Sequence, residues 1–192
     1  MVRGLIERVF KKEPLDSIFE NHATRQYTRE LLFSSIVDLM SLVVCGIYPS
    51  VNAAYRAKAL SLNVSRTAVY DKLNGIELDV SAALLRETAG SMADVMQFLA
   101  DSPPRLLASH QVRIIDGNCL AATDHRLAAL KPDASIALPG KSLEVLDPHL
   151  RMVIDVFPCE DGHAQKRSLF ESVLQTVKAG ELWIAEHNMC TK

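Results

Sequence analysis

Val112-Arg113-Ile114-Ile115-Asp116-Gly117-Asn118 is a short apolar run that ends in a carboxylate and a glycine turn. Read as a strand over residues 111–115, it sets a hard oxygen ligand at the mouth of a sheet, a placement that suits magnesium-held phosphate chemistry. The chain downstream extends that sheet. Residues 142–146 read as a second strand that turns at Asp147-Pro148, and residues 151–157 as a third, whose near-continuous apolar run suits a buried position. After a turn at Asp161-Gly162, Leu169, Phe170, Val173, Leu174 and Val177 make the inner stripe of a helix ended by Gly180. Leu182-Trp183-Ile184-Ala185 is then a fourth strand that delivers Glu186. The helix before it is the crossover that parallel pairing requires. Residues 120–130, with Asp124, His125 and Arg126, read as a helical connection between the first two strands.

Three strands, a helix and a further strand, with acids ending the first and last strands, resemble the ribonuclease-H-like pattern of polynucleotidyl transferases. Four segments, Ile115-Asp116-Gly117-Asn118, Leu138-Pro139-Gly140-Lys141-Ser142, Ile154-Asp155-Val156-Phe157-Pro158 and Leu182-Trp183-Ile184-Ala185-Glu186, look like the insertion-sequence-four family of bacterial DDE transposases. The resemblance covers residues 105–192. It implies DNA transposition: binding of element ends and metal-dependent strand cleavage and transfer, with three acids holding two Mg2+ or Mn2+ ions. Asp116 matches the first acid and Glu186 the second, and each is both a catalytic and a metal-ligand expectation. Asn118 and His187 are expected beside them, orienting phosphate or water. The family's third acid lies in a Tyr-x2-Arg-x3-Glu-x6-Lys signature that does not occur before Lys192. The second acid also departs from the family, since Glu186 stands where an aspartate is usual and reaches roughly 1.5 Å further. The resemblance therefore implies a truncated or decayed copy with weak or no activity. The alternative is a DNA-binding or dimerising remnant that regulates transposition without catalysis. Implied partners are double-stranded DNA at terminal inverted repeats and a second copy of the chain.

At 192 residues the chain holds one medium or two small domains, with enough apolar content for a core. Its net charge of −2 gives no global basic signature of a nucleic-acid protein. Cys45, Cys119, Cys159 and Cys190 are far apart, which argues against a zinc ribbon or a disulfide framework. With no secretory leader, reduced thiols in a cytoplasm are expected. The longest apolar stretch, residues 31–45, is interrupted by Ser34, Ser35, Asp38 and Ser41 and is too short for a membrane span. Leu32, Ile36, Leu39, Met40 and Val43 recur at helical spacing, so it reads as a buried helix. Residues 1–12 read as a small basic amphipathic helix docked on the same domain.

The DNA expectation rests on residues 51–75. A helix over 51–60, the turn Ser61-Leu62-Asn63-Val64, Ser65 as N-cap, and a second helix over 66–73 closed by Asn74-Gly75 have helix-turn-helix spacing. Val69 and Leu73 lie one turn apart and face inward, which leaves Arg66, Thr67, Tyr70 and Lys72 to look out. Arg56, Lys58, Arg66 and Lys72 stand against Asp71 alone in this segment. Arg56, Arg66, Thr67, Tyr70 and Lys72 are the expected DNA contacts. The bland reading is that any helical domain contains short helix pairs with a basic solvated face.

A further helical run from Asp79 to Leu99 ends before Pro103-Pro104, which sets the expected boundary between a helical domain, 1–104, and a partial catalytic domain, 105–192. The fold class is thus α+β: an all-helical N-terminal domain followed by an incomplete ribonuclease-H-like α/β domain. Separately, Asp116 and Glu186 read as a turn aspartate and a solvated acid, and only their placement on neighbouring strand ends raises them above that. Asp155, mid-strand, is expected at an edge or with a hydrogen-bond partner. Gly140-Lys141-Ser142 ends like a phosphate loop, but position 135 is Ser where the first glycine would stand. A haloacid-dehalogenase-like site would need an aspartate at position 114, which is Ile.

Overall fold

Apolar stripes at helical spacing and serine caps shape the first part of the chain. The structure is a computed structural model and describes residues 9–26, 30–99, 105–120, 140–159 and 166–186. It is α+β, with helices first and a four-stranded mixed sheet after them. The chain divides into two compact units, residues 1–84 and 85–192. The expected boundary at Pro103-Pro104, and most of the helix expected over 1–12, lie outside the described residues.

In the first unit, α1 (Lys12–His22) buries Leu15, Ile18 and Phe19, and α2 (Phe33–Val44) buries Phe33, Ile36 and Leu39. The Phe19 and Phe33 rings stack at 5.3 Å. Leu32, at the N-cap of α2, has no side chain to offer the orphan amides there. Asp16 of α1 supplies the acceptor instead, taking the Ser34 amide at 2.8 Å and its hydroxyl at 2.9 Å. Next come α3 (Val51–Leu62), α4 (Arg66–Asn74) and α5 (Leu78–Leu99), the last of which begins in this unit and continues into the second. Leu31, Ile36, Leu39, Ala54 and Val69 form a second apolar cluster of this unit.

Glu77, just ahead of α5, holds the end of the α1 segment. Its carboxylate accepts the Thr24 hydroxyl at 2.5 Å and the amides of Thr24, Arg25 and Gln26 at 2.9, 2.7 and 3.4 Å. The Thr24 hydroxyl, and then the Arg25 amide, lower its pKa from the ordinary 4.5 to about 2. A depressed carboxylate stabilises the folded state above its unfolded pKa, and that contribution is lost as pH falls through the folded one. Glu77→Gln should therefore be less stable than wild type above about pH 5, with the gap closing between pH 4.5 and 2. Thermal melts across that range check it, and a gap that persists at the acid end would refute it.

In the second unit, β1 (Gln111–Leu120), β2 (Gly140–Asp147), β3 (Met152–Cys159) and β4 (Glu181–Ala185) form one sheet in the order β3-β2-β1-β4. β1 pairs antiparallel with β2 and β2 with β3, while β4 runs parallel to β1. Ile115, Leu143, Val145 and Phe157 alternate onto one face and pack with Val173 of α6 (Phe170–Leu174).

Three expectations change here. First, β1 does not stop at Ile115: its pairing with β2 carries it to Leu120, so Asp116 lies inside the strand and Leu120 is extended rather than helical. The rest of the expected connection, with Asp124, His125 and Arg126, lies outside the described residues, as do Asp161 and His163. Second, β3 ends the sheet formed by the described residues and buries only Phe157, so its apolar run looks like a central strand but has a neighbour on one side among the described strands. A bulge at Ile154 shifts its register against β2. Third, the crossover helix is short: a 3₁₀ turn at Lys166–Leu169 leads into α6, and the helix breaks after Leu174. Its phase is then lost, and Leu174 and Val177 are exposed while Leu169, Phe170 and Val173 pack inward.

Candidate functional site

The parallel pairing of β1 with β4 decides what becomes of the two acids. Its register runs from Gln111 opposite Glu181 to Ile115 opposite Ala185. The next residue on each strand is Asp116 and Glu186, so the two carboxylates leave neighbouring chains at the same level, about 4.8 Å apart at the backbone. Both side chains are exposed. The Gly117 amide donates to Asp116 Oδ1 at 2.6 Å, which fixes one oxygen against the backbone.

A third acid stands beside them that sequence reasoning missed. Glu144 of β2 is the register partner of Asp116, and it accepts the Ser142 hydroxyl at 3.2 Å. Glu144 and Asp116 thus lie on neighbouring strands, and Glu186 directly follows the next one, β4. The signal was available only through the hairpin register, which no spacing in the sequence reveals. These acids form a row rather than a cup: among the described residues no group of three His, Cys, Asp or Glu side chains gathers to hold a metal ion. Three strands span roughly 10 Å, which is wider than one coordination sphere. Asn118 sits further along β1, where its side chain is not described, and His187 lies outside the described residues. Asp155 has a structural occupation: it pairs with Arg86 at 2.5 Å and accepts the Val156 amide at 2.7 Å.

The expected helix-turn-helix segment forms as α3, a turn and α4. Asn63 takes a left-handed conformation with φ of 51°, ending α3, and the Ser65 hydroxyl accepts the Ala68 amide at 3.1 Å, capping α4. The Tyr55 hydroxyl donates to the Val64 carbonyl at 2.8 Å and pins the turn. Val69 is fully buried and Leu73 packs with it, so Arg66, Thr67 and Tyr70 face out, and Arg56 of α3 is exposed as well.

Lys72 does not face out. It is only 9 % exposed, with its ammonium 3.6 Å from the centre of the Phe19 ring. Burial lowers its pKa, partly offset by Asp16. One turn of helix carries Val69, Lys72 and Leu73 onto the same side, and a lysine stem is apolar enough to join them. Lys58 also turns to a partner, Asp38, at 3.4 Å. The outward basic face is therefore Arg56 and Arg66, narrower than the sequence implied.

At the start of the sheet, Arg113 donates to Asp147 and, at 3.1 Å, to Glu181, and all three side chains are nearly buried. Burial raises the Glu181 pKa, but the Lys178 amide, the Trp183 indole and Arg113 together hold it below the usual carboxylate value. This network ties β1, β2 and β4 together behind the acids.

No helix among the described residues is long and apolar enough to cross a membrane. No protein-family model, curated protein or solved structure matches the chain.

Proposed function

We propose that this chain is a transposase of the DDE kind, with a ribonuclease-H-like unit whose Asp116 and Glu186 hold a divalent metal and a helical unit that binds element ends. The observation that carries the reading is the parallel register of β1 with β4, whose last pair, Ile115 and Ala185, comes one residue before Asp116 and Glu186. The order of three strands, helix and strand supports it, as does the exposed α4 face of Arg66, Thr67 and Tyr70.

The donor set fits the metal. Magnesium is usually held by one or two carboxylates, with water and substrate phosphate completing the shell. When bound, it would activate a water or 3′-hydroxyl and stabilise the leaving oxygen of a phosphodiester. Asp116 has one oxygen fixed by the Gly117 amide, and Glu186 is the longer of the two acids. The row of acids also repels DNA in the absence of a cation, so binding near them depends on it.

The second reading, a DNA-binding remnant without catalysis, is favoured by the lack of a three-acid group among the described residues. One pair of assays separates the two. Nicking of supercoiled DNA that requires Mg2+ or Mn2+ supports the enzyme; binding of inverted-repeat DNA without nicking supports the remnant; neither result would sink both. In the binding arm, Arg66→Ala should reduce the salt slope by about one phosphate contact. Lys72→Ala should leave the slope unchanged and instead lower stability by about 1 kcal/mol or more, through the lost Phe19 contact.

A further inference from the structure

α2, α3 and α4 share one apolar cluster, to which α4 contributes Val69 with Leu73 packed beside it. Lys72 is buried on the same side. At 3.6 residues per turn, the outward direction of α4 lies opposite these three, and Thr67, Asp71 and Asn74 fall within about 40° of it. Tyr70 lies about 70° to one side, and Arg66 about 110°, on the flank. All five are exposed. The centre of the outward face is thus the row Thr67, Tyr70, Asp71 and Asn74, spaced i, i+3, i+4 and i+7. That is the row with which the last helix of a three-helix DNA-binding unit meets base edges.

This row contains an acid, which helix stability does not account for. Asp71 opens the last turn of α4, where a negative charge opposes the helix dipole. Arg25 and Glu30 line the groove beside it, yet its carboxylate makes no hydrogen bond or ion pair among the described residues. General attraction to DNA does not account for it either, since a carboxylate repels phosphates. What remains is the chemistry of the bases. A carboxylate only accepts. In the major groove guanine and thymine present acceptors, and adenine sets its N7 acceptor beside its amino group. Cytosine alone offers an amino donor with no acceptor on its own edge.

We infer that Asp71 is a specificity-determining residue of the helical unit, selecting duplexes that place a cytosine opposite it in the major groove. The inference rests on the reading of this unit as DNA-binding. Arg66, on the flank, stays with the phosphates, so affinity and sequence choice belong to different residues of one helix.

The test is selection of bound duplexes from a randomised pool by the full chain, for wild type, Asp71→Ala and Asp71→Asn. The side chain is exposed and unpaired among the described residues, so both variants keep the fold. Wild type should enrich cytosine at one position, and replacing it there by thymine should weaken binding about tenfold or more. Asp71→Ala should lose the preference at that position alone and bind unselected duplex at least as well as wild type. Asp71→Asn should change the preference to adenine, whose N6 and N7 match an amide. If duplexes are retained with the same base frequencies by all three proteins, the inference falls and DNA binding stands. If none of the three retains any duplex, the DNA-binding reading falls and takes the inference with it.

Discussion

Arg113→Ala is expected to destabilise the sheet unit by about 3–5 kcal/mol, the usual cost of removing one partner from a buried ion pair. The arginine side chain is 11 % exposed, Asp147 1 % and Glu181 7 %, so both acids would be left without a counter-charge and with little water to replace it. They are not free to move away. Asp147 is fixed by two backbone amides of the following turn, and Glu181 by the Lys178 amide at 2.9 Å and the Trp183 indole at 3.0 Å. Arg113→Lys should recover only part of the loss, since an ammonium has no planar fork with which to serve two acids on different strands. Trp183 is the single tryptophan and touches this network, so urea unfolding followed by its fluorescence reads the unit directly. A loss below about 1 kcal/mol would mean that water reaches the acids and that the pair behaves as a surface bridge.

That network explains how much of the fold could be read beforehand. Short apolar runs located the four strands, and period-3.6 apolar patterns most of the helices. They also located Ser65 and Gly75 at the ends of α4, because capping is local chemistry. Two kinds of fact escaped. Strand ends depend on the partner: β1 continues past Asp116 only because β2 returns beside it. Side-chain direction depends on the neighbour: Lys72 turns inward because Phe19, more than fifty residues earlier, offers a ring. The same holds for Arg113, which sits in an apolar run and had no visible partner until Asp147 and Glu181 came together.

The candidate site divides in the same way. Asp116 and Glu186 could be singled out because an acid following an apolar run is a local signal, although β1 continues past Asp116 to Leu120, and a crossover helix lets β1 and β4 run parallel. Glu144 was not, since its approach to Asp116 is a matter of hairpin register. The outward cations of α3 and α4 were overcounted because charge was summed along the sequence rather than over a face.

Asp116→Asn is expected to abolish any metal-dependent nicking, and Glu186→Asp to increase it. The first follows from charge. An amide keeps the shape and the Gly117 contact but offers a neutral oxygen, so the fixed ligand loses its hold on a hard cation. The second follows from length. With the backbones about 4.8 Å apart, Asp116 and an aspartate at 186 would reach the same level above the sheet, whereas Glu186 overshoots by roughly one methylene. Magnesium tolerates little misplacement, and about 1 Å can cost on the order of 100-fold in rate, so the shorter acid could recover up to that factor. Both side chains are exposed, so neither substitution strains the core. The measurement is the rate at which supercoiled DNA is nicked with Mg2+, for wild type and both variants at equal concentration. An unchanged rate in Asp116→Asn would assign the nicking to something other than this carboxylate. A slower Glu186→Asp would mean that the longer reach is matched to the metal position, with the compensating shift located in the backbone beyond β4.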